Sequence, residues 1–227
     1  LNVSGNASTT TFAGIGFGST TIGTSTVGTR NDNNRVQNNN ITQLQFGVVS
    51  VGSQSAAKNA GTVVTGNTLG GAGIAALGRA GVWIAFEDGA QVTNNSVVDV
   101  FASNSADVFG LALGTISISG STITTQDVAN VTATGNFIGA VAKTDTFSAA
   151  GIALGTPNYG TSRIANNSVY GVVANGTAGD FAGGIVVGSA GTTYAPTQIY
   201  FNSVSMTGPR DAGSSATAAC EAKASEK

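Results

Sequence analysis

The chain has no histidine, a single cysteine, three prolines and one tryptophan in 227 residues. Without histidine, Ser-His-Asp and Cys-His nucleophile systems and histidine-ligated zinc are excluded. A lone Cys220 gives no disulfide framework, so the fold does not depend on one. Charge is scarce as well: Asp, Glu, Lys and Arg make up 9% of the chain, against about a quarter in ordinary soluble proteins. With nine basic and eleven acidic residues and a net charge of -2, no basic stripe is available to neutralise a phosphate backbone, which argues against nucleic acid as a partner. No apolar run approaches the roughly 18 residues needed for a membrane span. There is no initiating Met, basic n-region or h-region, so the sequence reads as a mature or excised segment. Phosphate-loop signatures of the G-x-x-x-x-G-K-[ST] kind are absent too.

In place of charge the chain carries 33 glycines and many Ser, Thr, Asn, Ala and Val residues, arranged in two interleaved repeats. One is Asn-x-aliphatic, at Asn39, Asn67, Asn95, Asn136, Asn167 and Asn202, with Ile41, Leu69, Val97, Ile138, Val169 and Val204 two residues on. The other is a glycine followed by alternating apolar residues, at Gly14, Gly47, Gly81, Gly110, Gly151 and Gly184, spaced 33, 34, 29, 41 and 33 residues apart. Self-similarity at this period signals a repeat architecture before any local propensity is considered. Period-two alternation puts Ile15 and Phe17, Val82 and Ile84, Leu111 and Leu113, Ile152 and Leu154, and Ile185 and Val187 on one face of short, one-side-buried strands.

Each repeat therefore predicts a strand, a bend at Asn, a second strand, a loop and a glycine strand. Three short strands per turn suit an all-β parallel β-helix of about six coils. Asn suits the bend because it tolerates left-handed backbone and its amide both donates and accepts. Stacked at about 4.8 Å, the six asparagines are expected to form a structural ladder, each bond contributing roughly 1 kcal/mol net. The pattern G-I-x-L-G, a spacer, then h-x-x-N-N-S-V resembles the right-handed parallel β-helix repeats of the pectin-lyase-like superfamily, and among them the long repetitive secreted β-helix proteins of bacteria. The resemblance covers about residues 10–208. It implies a secreted or cell-surface location and a fold shared by enzymes, tailspikes and adhesins.

Residues 1–210 are thus expected to form one solenoid, and residues 211–227, with five of the chain's twenty formal charges in an Ala-, Glu- and Lys-rich stretch, a capping helix or disordered tail. The longest connections, Ser53 to Gly61, Gly70 to Ala80, Ala102 to Phe109, Ala142 to Ala150 and Ala174 to Gly183, are expected to project from one edge, where a binding surface would lie. There Asp107, Asp145 and Asp180 each precede a phenylalanine and a glycine strand. In register they would form a carboxylate ladder suited to Ca²⁺; alternatively each aspartate caps its own turn. No cofactor is otherwise required. Trp83 sits at an outward strand position, either stacked on a sugar ring or covered by the Gly70 to Ala80 loop.

A lyase of the resembled superfamily would need Ca²⁺-binding carboxylates and an Arg or Lys base. The residues available are Glu87, Asp88, Asp99, Asp107, Asp145 and Asp180, with Arg79, Lys143 and Arg163. None clusters in sequence like a catalytic motif, which leaves enzyme activity open and assigns no catalytic residue. Seven N-x-[ST] sequons occur, at Asn2, Asn6, Asn40, Asn94, Asn130, Asn166 and Asn175. Several abut the bend, where a sugar is expected to clash with stacking, an argument for a bacterial source. The reading that results is a structural or adhesive rod that associates with itself, end to end or laterally, or with a glycan surface. Its alternative is a carbohydrate-active lyase or glycan-binding module.

Overall fold

The computed structural model describes residues 1–8, 12–18, 28–53, 58–101, 105–119, 122–156, 160–174, 181–189, 195–206 and 218–223. Those residues are all-β, with one short 3₁₀ turn at Gly73–Ala75 and no α-helix. Three parallel sheets carry the fold. Sheet one holds the glycine strands Ala13–Phe17, Phe46–Val51, Ala80–Ala85, Val108–Leu113, Ala149–Thr156 and Ala182–Ser189, followed by Ala218–Lys223. Sheet two holds the strands that enter the asparagines: Arg35–Gln37, Val63–Thr65, Gln91–Thr93, Thr132–Thr134, Ser162–Ala165 and Thr197–Tyr200. Sheet three holds those that leave them: Asn2–Ser4, Asn40–Thr42, Thr68–Gly70, Ser96–Phe101, Phe137–Lys143, Ser168–Ala174 and Ser203–Ser205. From Arg35 onward the chain visits sheets two, three and one in that order and repeats, each strand pairing in parallel with its equivalents before and after.

Register follows the repeats. Ile41, Leu69, Val97, Ile138, Val169 and Val204 are successive partners on sheet three, and all belong to or pack against one core enclosed between the sheets. The apolar faces read from the glycine strands point into the same core. The glycines are where the two repeats meet. A Cβ at Gly81 would lie 2.5 Å from Val97 Cγ1, and one at Gly110 or Gly151 would run into Ile138 or Val169. The aliphatic residue of each circuit thus presses on the bare glycine backbone of the circuit before.

Bending is divided between neighbouring residues. The ladder asparagines were expected to supply the left-handed backbone themselves, but it is the preceding residue that has positive φ: Asn38, Gly66, Asn94, Gly135, Asn166 and Phe201. This column consists of Gly and Asn, the residues that reach that region at least cost, except for Phe201, which is 83% exposed. A second positive-φ column, Asn33, Gly61, Gly89, Asn130 and Gly160, lies two residues before each of the first five sheet-two strands and makes the other corner.

The ladder residues are left to bond. Main-chain N–H and Nδ2 of each of Asn39, Asn67, Asn95, Asn136 and Asn167 donate to Oδ1 of the next at 2.9–3.0 Å. The second Nδ2 hydrogen of Asn67, Asn95, Asn136, Asn167 and Asn202 reaches back to Val36, Val64, Val92, Ala133 and Ile164 carbonyls at 2.8–3.0 Å. An interior amide such as that of Asn95 or Asn136 therefore accepts twice and donates twice, which satisfies it within the protein.

Two expectations are corrected. Sheet one is buried on both faces, not one: Phe46, Val49, Trp83, Phe109, Ala112, Ala153 and Val186 form a second apolar cluster outside it. The tail expected to be helix or disorder contains the strand Ala218–Lys223, paired with Ala182–Ser189; the rest of residues 211–227 lies outside the described residues. An open sheet edge offers a row of backbone partners, which outweighs the few tenths of a kcal/mol per residue in helix propensity.

Candidate functional site

The edge where sheet three turns into sheet one was the expected place for chemistry. Asp107 immediately precedes the strand Val108–Leu113 and is 6% exposed. Its Oδ1 accepts from Ser148 N–H at 2.8 Å and its Oδ2 from Ile118 N–H at 2.9 Å, so both oxygens are engaged by main chain. Val108 is paired with Ala149, which puts Asp107 level with Ser148 and leaves Asp145 three residues upstream. The in-register ladder of Asp107 and Asp145 therefore does not form. Loops of unequal length reach the same strand start, so a shared offset from the phenylalanine does not mean a shared level.

Asp145 instead closes a local turn. Its Oδ1 accepts from Phe147 N–H at 3.1 Å, and its Oδ2 pairs with Lys143 Nζ at 2.9 Å. The Lys143 ammonium is itself buried and lies 5.4 Å from the Phe147 ring centroid. Asp180 lies outside the described residues. Among those described, no group of three or more Cys, Asp or Glu side chains is placed to hold a metal ion.

Besides Lys143, Arg79 is a base brought near a candidate carboxylate, Asp107. Its guanidinium lies 5.4 Å from the Phe46 ring centroid, and Nη2 donates to Ile116 O at 3.3 Å. Burial lowers its pKa from the usual arginine range, and attraction to Asp107 opposes that shift. Arg163 points outward from sheet two, and Asp99 lies within the strand Ser96–Phe101. These groups do not converge.

Trp83 is fully buried, so it cannot stack on a sugar. Its ring packs on Phe46 at 5.2 Å, and Nε1 donates to Gln126 Oε1 at 2.9 Å. The cover is not the Gly70 to Ala80 loop. It comes from residues 115–119 and 122–127, an excursion that includes the antiparallel pair Ile118–Ser119 and Thr122–Ile123. The excursion crosses sheet one: Ile116 O meets Arg79, Ile118 N–H meets Asp107, Ile118 O accepts from Ser148 Oγ, and Ile123 lies against Gly188. Of the segment Ser53 to Gly61, grouped by sequence with the other projecting loops, the described residues Ser53 and 58–61 belong to a different corner, between sheets one and two.

Two features were missed from sequence. The first is the buried Glu87, whose Oε1 accepts from Thr62 N–H and Oε2 from Ser50 Oγ–H, both at 2.8 Å. Glu87 and Asp88, named above only among the carboxylates a lyase could use, form a short strand paired with Asn59–Ala60, Glu87 buried and Asp88 partly exposed, with Asp88 Oδ1 accepting from Asn130 Nδ2. Burial raises the Glu87 pKa, the bonds from Thr62 and Ser50 oppose the rise, and nearby Asp32 adds to it. A raised carboxyl pKa favours the folded state below the unfolded value of about 4.3, and that contribution is lost as pH rises through the folded value. Glu87→Gln is therefore expected to be more stable than the parent at pH 7.5. The gap should close near pH 4. Urea unfolding at both pH values checks this, and an equal gap at both would refute it.

The second missed feature is an exposed aromatic pair on the outer face of sheet three. Phe137 and Tyr170 have ring centroids 5.2 Å apart and are 44% and 39% exposed. They occupy different repeat positions, so alignment by column hides them; only the pairing of Gly139 with Tyr170 brings them together. Among the described residues no helix is long and apolar enough to cross a membrane. The chain matches no protein-family model and no curated protein sequence.

Proposed function

We propose that the chain is a right-handed parallel β-helix that serves as a structural or adhesive rod, secreted or displayed at a cell surface, and that copies associate end to end. The observation that carries this reading is the asparagine ladder, continuous from Asn39 to Asn202, whose amides bond circuit to circuit. Support also comes from the carboxylates a lyase would draw on: Asp107 and Asp145 are already engaged by main chain and by Lys143. A repeat whose polar groups serve its own stacking is suited to bearing load and to presenting surface. Self-association follows from the sheet ends. Thr197–Tyr200 is the last sheet-two strand among the described residues, and backbone groups at such an edge are a template for another chain. Small-angle scattering and electron microscopy across a concentration series should show particles lengthening along one axis. Dispersed monomers at high concentration would remove the self-association.

A further inference from the structure

We propose that Asn94 and Asn166 are acceptor sites for N-linked sugar, and that Phe137 and Tyr170 are the platform on which the first sugar ring rests. This goes beyond the rod reading and does not depend on it. Coil geometry separates the sequon asparagines from the ladder. In Asn94-Asn95-Ser96 and Asn166-Asn167-Ser168 the middle residue is the ladder asparagine and is buried. Its neighbours are turned outward by the left-handed corner, φ being 54° at Asn94 and 55° at Asn166. At these two corners a sugar would therefore project away from the buried ladder residue.

The amides differ in what they are free to do. Nδ2 of Asn95 and of Asn167 spends its hydrogens on the next ladder residue and on a carbonyl. Asn130, also in a sequon, donates its Nδ2 to Asp88 at 2.8 Å. Asn94 and Asn166 are exposed, and among the described residues their Nδ2 atoms make no hydrogen bond.

The aromatic pair supplies a second, independent observation. Phe137 is paired with Ser96 on one side and Ser168 on the other, so its ring stands between the two sequons. In the corner column the residue between Asn94 and Asn166 is Gly135, whose bare backbone is covered by the Asn94 carboxamide: a Cβ there would run into Asn94 Oδ1. Tyr170 lies across Gly139 and extends the apolar surface. Two half-exposed rings on a face of Ser, Thr and Gly offer flat contact to the C–H face of a pyranose. In the transfer, Nδ2 bonds to the anomeric carbon of a sugar carried on a nucleoside or polyprenyl diphosphate. The bond from that carbon to the diphosphate oxygen breaks, the diphosphate leaves with the electron pair, and the amide gives its proton to a base of the transferase.

The test uses the full chain in two arms: purified protein treated with a sequon-specific transferase and its nucleotide sugar, and protein expressed in a host that transfers lipid-linked oligosaccharide. Peptide mass spectrometry should find sugar at Asn94 and Asn166 in at least one arm, and none at Asn95, Asn167 or Asn38, which shares the corner without a sequon. The modified protein should melt about 2–4 °C higher than the unmodified, and the gain should vanish in Phe137→Ser. Asn94→Gly with Asn166→Gly should abolish modification while keeping the fold, since Gly66 and Gly135 already occupy that corner. No sugar in either arm, sugar on the ladder, or a melting gain that survives Phe137→Ser overturns the proposal.

Discussion

Asn136→Leu will lower the stability of the fold by about 4 kcal/mol. The substitution leaves Asn95 N–H and one Asn95 Nδ2 hydrogen without partners and takes one donor from the Val92 carbonyl, all in the interior of the ladder. Each such orphan costs about 1–3 kcal/mol when water cannot reach it, and local relaxation recovers part of the sum. At the ladder's beginning the same change should be mild. Asn39→Leu removes one of two donors to Asn67 Oδ1 and a bond to the exposed Gln37 carbonyl, worth about 1 kcal/mol together. Thermal unfolding of the two variants should separate them by about 6–12 °C, at about 2–4 °C per kcal/mol for a chain of this size. If both variants melt within a degree or two of one another, the ladder is a consequence of stacking and not a cause of it.

Much of this architecture could be read from residues alone because its determinants repeat. The aliphatic residue two after each asparagine and the alternation after each glycine are inward positions on two different sheets, and both lie where the sequence pattern places them. The division of labour at the bend was equally visible in the letters, yet was overlooked: Asn38, Gly66, Asn94, Gly135 and Asn166 alternate between the two residue types that accept a left-handed backbone. A ladder asparagine draws attention because it recurs as one residue type, whereas the residue that makes the turn recurs as a conformation.

The candidate site was less legible, for a reason of register. A strand's level is set by hydrogen bonding to its neighbours, and a loop of variable length erases the offset that sequence spacing suggests. Asp107 and Asp145 share a motif but not a level. Trp83 was correctly placed on the outward side of its strand, but its cover, residues 115–119 and 122–127, follows the next glycine strand and returns across several circuits. Such non-local returns have no periodic signature. Exposure of Phe137 beside Tyr170 escaped for the converse reason, since two different columns meet only through the pairing of adjacent strands.

The glycine repeat permits a test in which two physical rules predict opposite signs. By backbone entropy, Gly→Ala within a strand should stabilise the fold by about 0.4–1 kcal/mol where the native conformation suits alanine, and Gly110 lies mid-strand without positive φ. By packing it should do the reverse. A Cβ at Gly110 would lie 2.5 Å from the Gly151 carbonyl oxygen and would run into Ile138 Cγ2, the aliphatic residue that presses on it from the next circuit. Side-chain rotation can relieve the second clash but not the first, because the carbonyl belongs to a strand held on both sides. Overpacking of a filled core costs typically about 1–3 kcal/mol, and backbone displacement in a parallel sheet puts this case at or above the upper end. Gly110→Ala is thus expected to destabilise by about 3 kcal/mol, and adding Ile138→Val, which retains Cγ2, should restore little. A neutral or stabilising Gly110→Ala, measured by urea unfolding, would mean that the circuits can spread at no cost, and the glycine column would then be a relic of composition instead of the contact that sets their spacing.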